Sequence, residues 1–141
     1  MAAAVLAALS LFGQAFAGTW TCGDAHFQTP WHIYAAPAAN WTVVDWGPRT
    51  GNGGTAYVGY VPARKQWLYE DFHFDGSYSM NTSPGPVNGS WSWTGTYDMG
   101  KHVLHGVVIW KRATRTRIVR TFEQTLGGKV VHVAHDSCAA R

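Results

Sequence analysis

The chain has 141 residues, of which 46% are hydrophobic and 13% charged, with eleven Lys and Arg against eight Asp and Glu. That length holds a single domain, and a net charge of +3 falls well short of a dedicated nucleic-acid binder. Eight Trp, six Tyr and six Phe exclude a disordered chain and promise an aromatic core.

The first stretch, "MAAAVLAALSLFGQAFA", is apolar and ends in Ala15-Phe16-Ala17, a small-x-small pattern of the kind a signal peptidase cuts after. It is shorter than the ~20 residues a bilayer span needs. No Lys or Arg precedes Arg49, so the usual basic leader is missing. Residues 1–17 are read as a signal peptide outside the fold, and residues 18–141 as one exported domain, secreted or periplasmic, with no membrane contact after cleavage.

From there the chain reads as strands. Ten runs alternate or are β-branched and aromatic: about 18–23, 31–36, 41–46, 56–61, 66–74, 76–82, 89–98, 103–111, 116–125 and 129–136. Asp75-Gly76 and Asn88-Gly89 are two-residue hairpin signals. "PRTGNGGT", "PARKQ", "DMGK", "KRATR" and "LGGK" carry turn chemistry between the other runs. No stretch keeps a helical period, although "GDAHFQTP" has room for a short helical turn. The glycines of "GNGG" belong to a hairpin, since no helix follows to receive a phosphate.

Short connections make an antiparallel meander the economical topology. Curling it into a barrel pairs the first strand with the last and removes both exposed edges. The only cysteines, Cys22 and Cys138, stand at opposite ends of the domain. Export favours their pairing, which requires Cα atoms within about 7 Å and adds at most roughly 4–5 kcal/mol on the chain-entropy model. The expected fold is therefore all-β: an antiparallel up-and-down β-barrel of about ten strands, closed beside a disulfide.

Gly18-Thr19-Trp20 at the head of such a barrel resembles the G-x-W start of the calycin superfamily, which includes lipocalins, fatty-acid-binding proteins and nitrobindins. "GTWTCG", "YVPARKQW" and "HDSC" are similar to small exported bacterial proteins of domain-of-unknown-function family 1579 and its relatives. The resemblance implies a barrel and no established activity. "GTWTCGDAHFQ" lacks the glycine-rich stretch leading to Tyr-Pro that follows the first Trp of nitrobindins. Their haem ligand is a His on a late strand, so the resemblance makes His132 or His135 the candidate in an alternative haem-binding reading.

Arg120 shares a strand face with Ile118 and Phe122 and is expected to point inward. One role is to anchor a carboxylate or phosphate on an otherwise apolar ligand; removing it would then abolish binding at nearly unchanged melting temperature. The other follows lipocalins, where a late-strand Arg packs over the G-x-W Trp and closes the floor, so that Arg120 or Arg117 stacks on Trp20. The rest of the basic run, Lys111, Arg112, Arg115 and Arg117, reads as a solvated hairpin.

In "QWLYEDFHF", alternation puts Trp67, Tyr69, Asp71 and His73 on one face and Leu68, Glu70, Phe72 and Phe74 on the other. Asp71 and His73 form a possible acid/base dyad, and Glu70 stands on the more apolar row, which is expected to be buried. No catalytic motif completes either. His102 and His105, or His132 and His135, alternate across a strand and cannot chelate as pairs, so a metal would need histidines from neighbouring strands, for example His105 and His132. Trp41, Trp46, Trp67, Trp91, Trp93 and Trp110 are read mainly as core, with a stacking platform as the alternative.

The leading expectation is a non-enzymatic barrel holding a small, largely apolar ligand against Arg120, Trp20, Tyr69 and Asp71, with no resident cofactor or metal. The alternatives are haem at His132 or His135 and an acid/base enzyme at Glu70, Asp71 and His73. Residues 103–111 are apolar on both faces, so a cover is expected, either the segment around His26 and Phe27 or a second copy of the chain in a homodimer.

Overall fold

A computed structural model describes residues 10–38, 40–48 and 52–141. A short helix α1 (Leu11–Phe16) precedes β1 (Gly18–Gly23), β2 (Gln28–Ala35), β3 (Trp41–Trp46) and β4 (Gly54–Val61). A single 3-10 turn, Pro62–Arg64, leads to β5 (Gln66–His73), β6 (Tyr78–Ser83) and the two-residue β7 (Pro86–Val87). Four longer strands follow: β8 (Ser90–Asp98), β9 (Val103–Thr114), β10 (Arg117–Leu126) and β11 (Lys129–Ala140).

Each main strand pairs antiparallel with its chain neighbour, β6 pairs with β8 past the small β7, and β1 pairs with β11. The result is the expected closed ten-stranded barrel with no free edge along its main strands. The β1–β11 register puts Cys22 directly opposite Cys138, and the two form a disulfide spanning 116 residues of sequence. Cys138 lies within the last strand, not just beyond it. A disulfide is at home in oxidising compartments and is compatible with a secreted or periplasmic protein. No helix among the described residues is long and apolar enough to cross a membrane.

Turn chemistry explains the hairpins. Asn88 and Gly89 have φ of 50° and 77°, the two positive values a type I′ turn needs, and Val87 pairs with Ser90 across them. Gly127 and Gly128 repeat this between Leu126 and Lys129. The Asp75-Gly76 connection is wider, held by the Asp75 carboxylate, which accepts the Ser77 amide at 2.8 Å. "GDAHFQTP" forms no helical turn: Asp24 Oδ1 accepts the amides of His26 and Phe27 at 2.7 and 3.0 Å, satisfying the chain locally. Part of "PRTGNGGT", residues 49–51, lies outside the described residues.

Residues 10–17, the described part of the stretch read as a signal peptide, pack into one end of the barrel. The Ser10 hydroxyl caps α1 by accepting the Gly13 amide at 3.1 Å and lies 2.6 Å from the Thr42 hydroxyl. Phe12 and Phe16, four apart, share one helix face and are fully buried. Phe12 meets Trp91 edge-on at 5.4 Å and Phe16 meets Trp110 at 5.4 Å. Burying each ring contributes about 1.5–3 kcal/mol. An apolar segment ending in small residues has the composition of a signal peptide and of a barrel plug alike.

One correction concerns the floor. Neither Arg117 nor Arg120 stacks on Trp20; Arg112 does, 4.7 Å from the ring centroid. Its Nη1 donates to the Ala15 carbonyl at 2.8 Å, Nε to the Thr114 carbonyl at 2.7 Å, and Nη2 to the Arg115 carbonyl. The Trp20 indole N–H donates to the Phe16 carbonyl at 3.0 Å, so helix, Trp and Arg lock together. Lys111, Arg115 and Arg117 are exposed, as expected of a solvated turn.

Two expectations about faces also change. The row Leu68, Glu70, Phe72, Phe74 points outward, with Phe72 48% and Phe74 47% exposed, and Glu70 accepts a hydrogen bond from the Tyr78 hydroxyl at 3.3 Å. The inward row is the more polar one, because Asp71 and His73 serve the interior. Val103, Val107 and Ile109 are exposed on the outside of β9, and the segment proposed to cover them does not, since His26 and Phe27 are exposed themselves.

Candidate functional site

Above the aromatic plug, a cavity of about 270 Å³ opens toward the other end of the barrel, where the 74–77, 99–102 and 127–128 turns lie. Its walls follow from alternation: inward residues of β2, β3, β5, β6, β8, β9 and β10 line it. Trp31, Trp46, Trp93, Trp110, Tyr97 and Phe122 are among its lining rings, and Gly95 and Gly106, opposite one another in register, put no side chain into it. The six Trp residues are thus mainly core, as expected: Trp91, Trp93 and Trp110 are buried, and Trp41, Trp46 and Trp67 are half-buried.

The polar groups enter from two sides. On β10, Arg120 is buried, and the β10–β11 register sets it directly opposite Asp136. Its Nε donates to Asp136 Oδ1 at 2.8 Å and its Nη2 donates to Oδ2, a bidentate charge-assisted pair. The guanidinium lies 4.2 Å from the Trp31 centroid and 5.0 Å from that of Trp110, so both the edge and the face of the group are engaged.

Across the barrel on β5, Asp71 Oδ1 accepts the Trp46 indole N–H at 2.9 Å, and Asp71 Oδ2 stands 3.4 Å from His73 Nε2. The expected Asp71–His73 proximity is therefore present, although the pair is not aligned as a hydrogen bond. Among the described residues, His73 Nε2 and the Trp93 indole nitrogen are buried without a hydrogen-bond partner, a cost of about 1–3 kcal/mol for each. Both residues belong to the cavity wall. Tyr69 is buried beside them, and burial, reinforced by the nearby Asp71 charge and opposed by Arg120, pushes its phenol pKa well above the ordinary value. Tyr69 stays a neutral donor.

Of the four residues expected to contact a ligand, the structure brings Arg120, Tyr69 and Asp71 into the cavity wall and leaves Trp20 at the floor under Arg112. His132 and His135 are both exposed, and neither lines the cavity; the histidine that does is His73. His105 and His132 face opposite sides of the sheet, because Gln124, opposite His132, is an inward residue while Thr125, opposite His105, is not. Among the described residues, no three His, Cys, Asp or Glu side chains cluster to hold a metal.

Sequence reasoning missed Asp136 and Trp31. Asp136 left a signal: it lies two residues before Cys138, so it shares the inward face of a disulfide cysteine. Trp31 had none beyond alternation with Ile33, because its contact with Arg120 crosses from β2 to β10.

No family model matches the chain, and no curated protein matches it.

Proposed function

We propose that this chain is a non-enzymatic binding protein that holds one small, largely apolar molecule inside its barrel. The observation that carries the reading is the cavity itself: an aromatic pocket, closed below by α1 and containing buried polar groups that its own walls leave unpartnered. A barrel built only as a scaffold would fill this space with side chains, whereas a concave, mostly apolar site with a few convergent polar groups is the form small-molecule sites take. The disulfide and the G-x-W opening support placing it among exported calycin-like barrels, with family 1579 and its relatives as kin and the periplasm or extracellular space as its location.

Native mass spectrometry of the full chain, purified without reductant, tests this. A retained small-molecule mass that disappears in Val108→Trp, where the new ring fills the cavity, is expected. Wild-type protein that flies bare and takes up nothing from a panel of apolar compounds contradicts the reading.

One observation favours a second reading. Asp71 and His73 meet inside the cavity, 3.4 Å apart, with the Trp46 N–H fixing the carboxylate, an arrangement able to move a proton to or from a bound molecule. It predicts a pH-dependent turnover lost in both Asp71→Asn and His73→Gln. Turnover that survives either change removes this reading.

A further inference from the structure

Three charged or chargeable groups line the cavity: Asp71, His73 and Arg120. Arg120 and Asp71 are engaged from within the wall, whereas His73 Nε2 has no hydrogen-bond partner among the described residues. Arg120 gives two N–H donors to Asp136, which stands behind it, and lays its face on Trp31 and Trp110. Asp71 uses one oxygen for the Trp46 N–H and turns the other to His73.

An entering carboxylate would have to compete with Asp136 for the same fork of donors while approaching Asp71. Two carboxylates against one guanidinium leave the wall without positive charge in excess, even when His73 is protonated. An entering ammonium meets the converse problem: the faces of Trp31, Trp110 and Phe122 that would attract it already hold a guanidinium, 4.2, 5.0 and 5.1 Å from their centroids. What remains for recognition is aromatic faces, the unpartnered nitrogens of His73 and Trp93, and the neutral side chains Ser79, Asn81 and Gln124.

Shape points the same way. Trp46 on β3 and Trp93 on β8 come from opposite sides of the strand circle, and beside Trp93 the wall is flattened by Gly95 and Gly106. A Cβ at Gly95 would stand only 1.9 Å from the Met80 carbonyl oxygen, so the close strand approach there requires glycine.

Resting on the binding reading above, we propose that the cavity selects an uncharged, flat ring compound and rejects carboxylates and ammonium ions of the same shape. Burying a ligand charge that no wall group can pair costs more than the ring contacts return.

The test is calorimetric titration of the full chain with three isosteric probes: acetylnaphthalene, naphthoate and naphthylmethylammonium. Acetylnaphthalene is expected to bind at least about tenfold tighter than either charged probe. In Asp136→Asn, which releases Arg120 from its internal counter-ion, the ratio of naphthoate to acetylnaphthalene affinity should rise by about tenfold. The wild-type ranking decides the matter alone if that variant does not fold. A charged probe that binds as tightly as acetylnaphthalene, or tighter, overturns the selectivity while leaving the binding reading intact. Failure of all three probes to bind removes the binding reading and this inference with it.

Discussion

Arg112 lies over the Trp20 indole at 4.7 Å while its Nη1 donates to the Ala15 carbonyl at 2.8 Å, so one side chain joins β9, β1 and α1. Arg112→Ala removes the stack and leaves the Ala15, Thr114 and Arg115 carbonyls without this donor. A loss of about 1–3 kcal/mol is expected in denaturant unfolding, and Arg117→Ala, whose side chain is exposed, should fall within about 0.5 kcal/mol of wild type. Equal effects at the two positions would contradict the floor assignment.

The plug makes a claim about processing as well as stability. A chain starting at Gly18 should melt well below one starting at Ser10, because Phe12 and Phe16 are fully buried and a buried Phe→Ala change costs about 3–5 kcal/mol. Thermal unfolding of the two chains, with Phe12→Ala and Phe16→Ala in the longer one, checks this. Identical melting would place residues 10–17 outside the working fold after all.

Arg120 distinguishes two roles that its position alone did not. Because Asp136 holds it in a largely buried pair, Arg120→Ala leaves a carboxylate without its partner and should destabilise the barrel by about 3–5 kcal/mol. An unchanged melting temperature with lost binding would restore the simple acid-anchor role.

Tyr69 predicts an alkaline weakness. Its folded pKa is raised by burial and by Asp71, so above about pH 10 the unfolded chain releases a proton that the native state retains. Stability from this group is complete below that pH and declines as the pH rises toward the folded value. Tyr69→Phe should lose less stability between pH 9 and pH 11 than wild type does, measured by urea unfolding at each pH. Parallel curves would contradict it.

The barrel was legible because its signals are local. Asn88-Gly89 and the glycine pair at 127 and 128 dictate hairpins wherever the rest of the chain goes, and the paired cysteines bring the two ends together. What stayed hidden depends on register and on side chains that meet across the barrel. Arg112 rather than Arg117 reaches Trp20 because Arg112 shares the inward face of Val108 and Trp110, while Arg117 alternates against the inward Ile118 and Arg120. Phe72 and Phe74 make the Glu70 row look like core, yet it faces outward. The actual core takes so many rings from other strands and from α1 that β5 can direct Asp71 and His73 inward. The cavity acid and base were visible as a same-face pair; the partners that set their chemistry, Trp46 for Asp71 and Asp136 for Arg120, lie on other strands.

The claim that a ligand occupies this aromatic cavity is tested most directly by the indole N–H resonances of the eight Trp residues in a proton–nitrogen NMR correlation spectrum, recorded as acetylnaphthalene is added. The account predicts that the signals of Trp31, Trp46, Trp93 and Trp110, which line the cavity, shift together and saturate, while that of Trp20, tied to Phe16 at the floor, stays in place. Saturating shifts confined to Trp41 and Trp67, or no shifts at all, would contradict it.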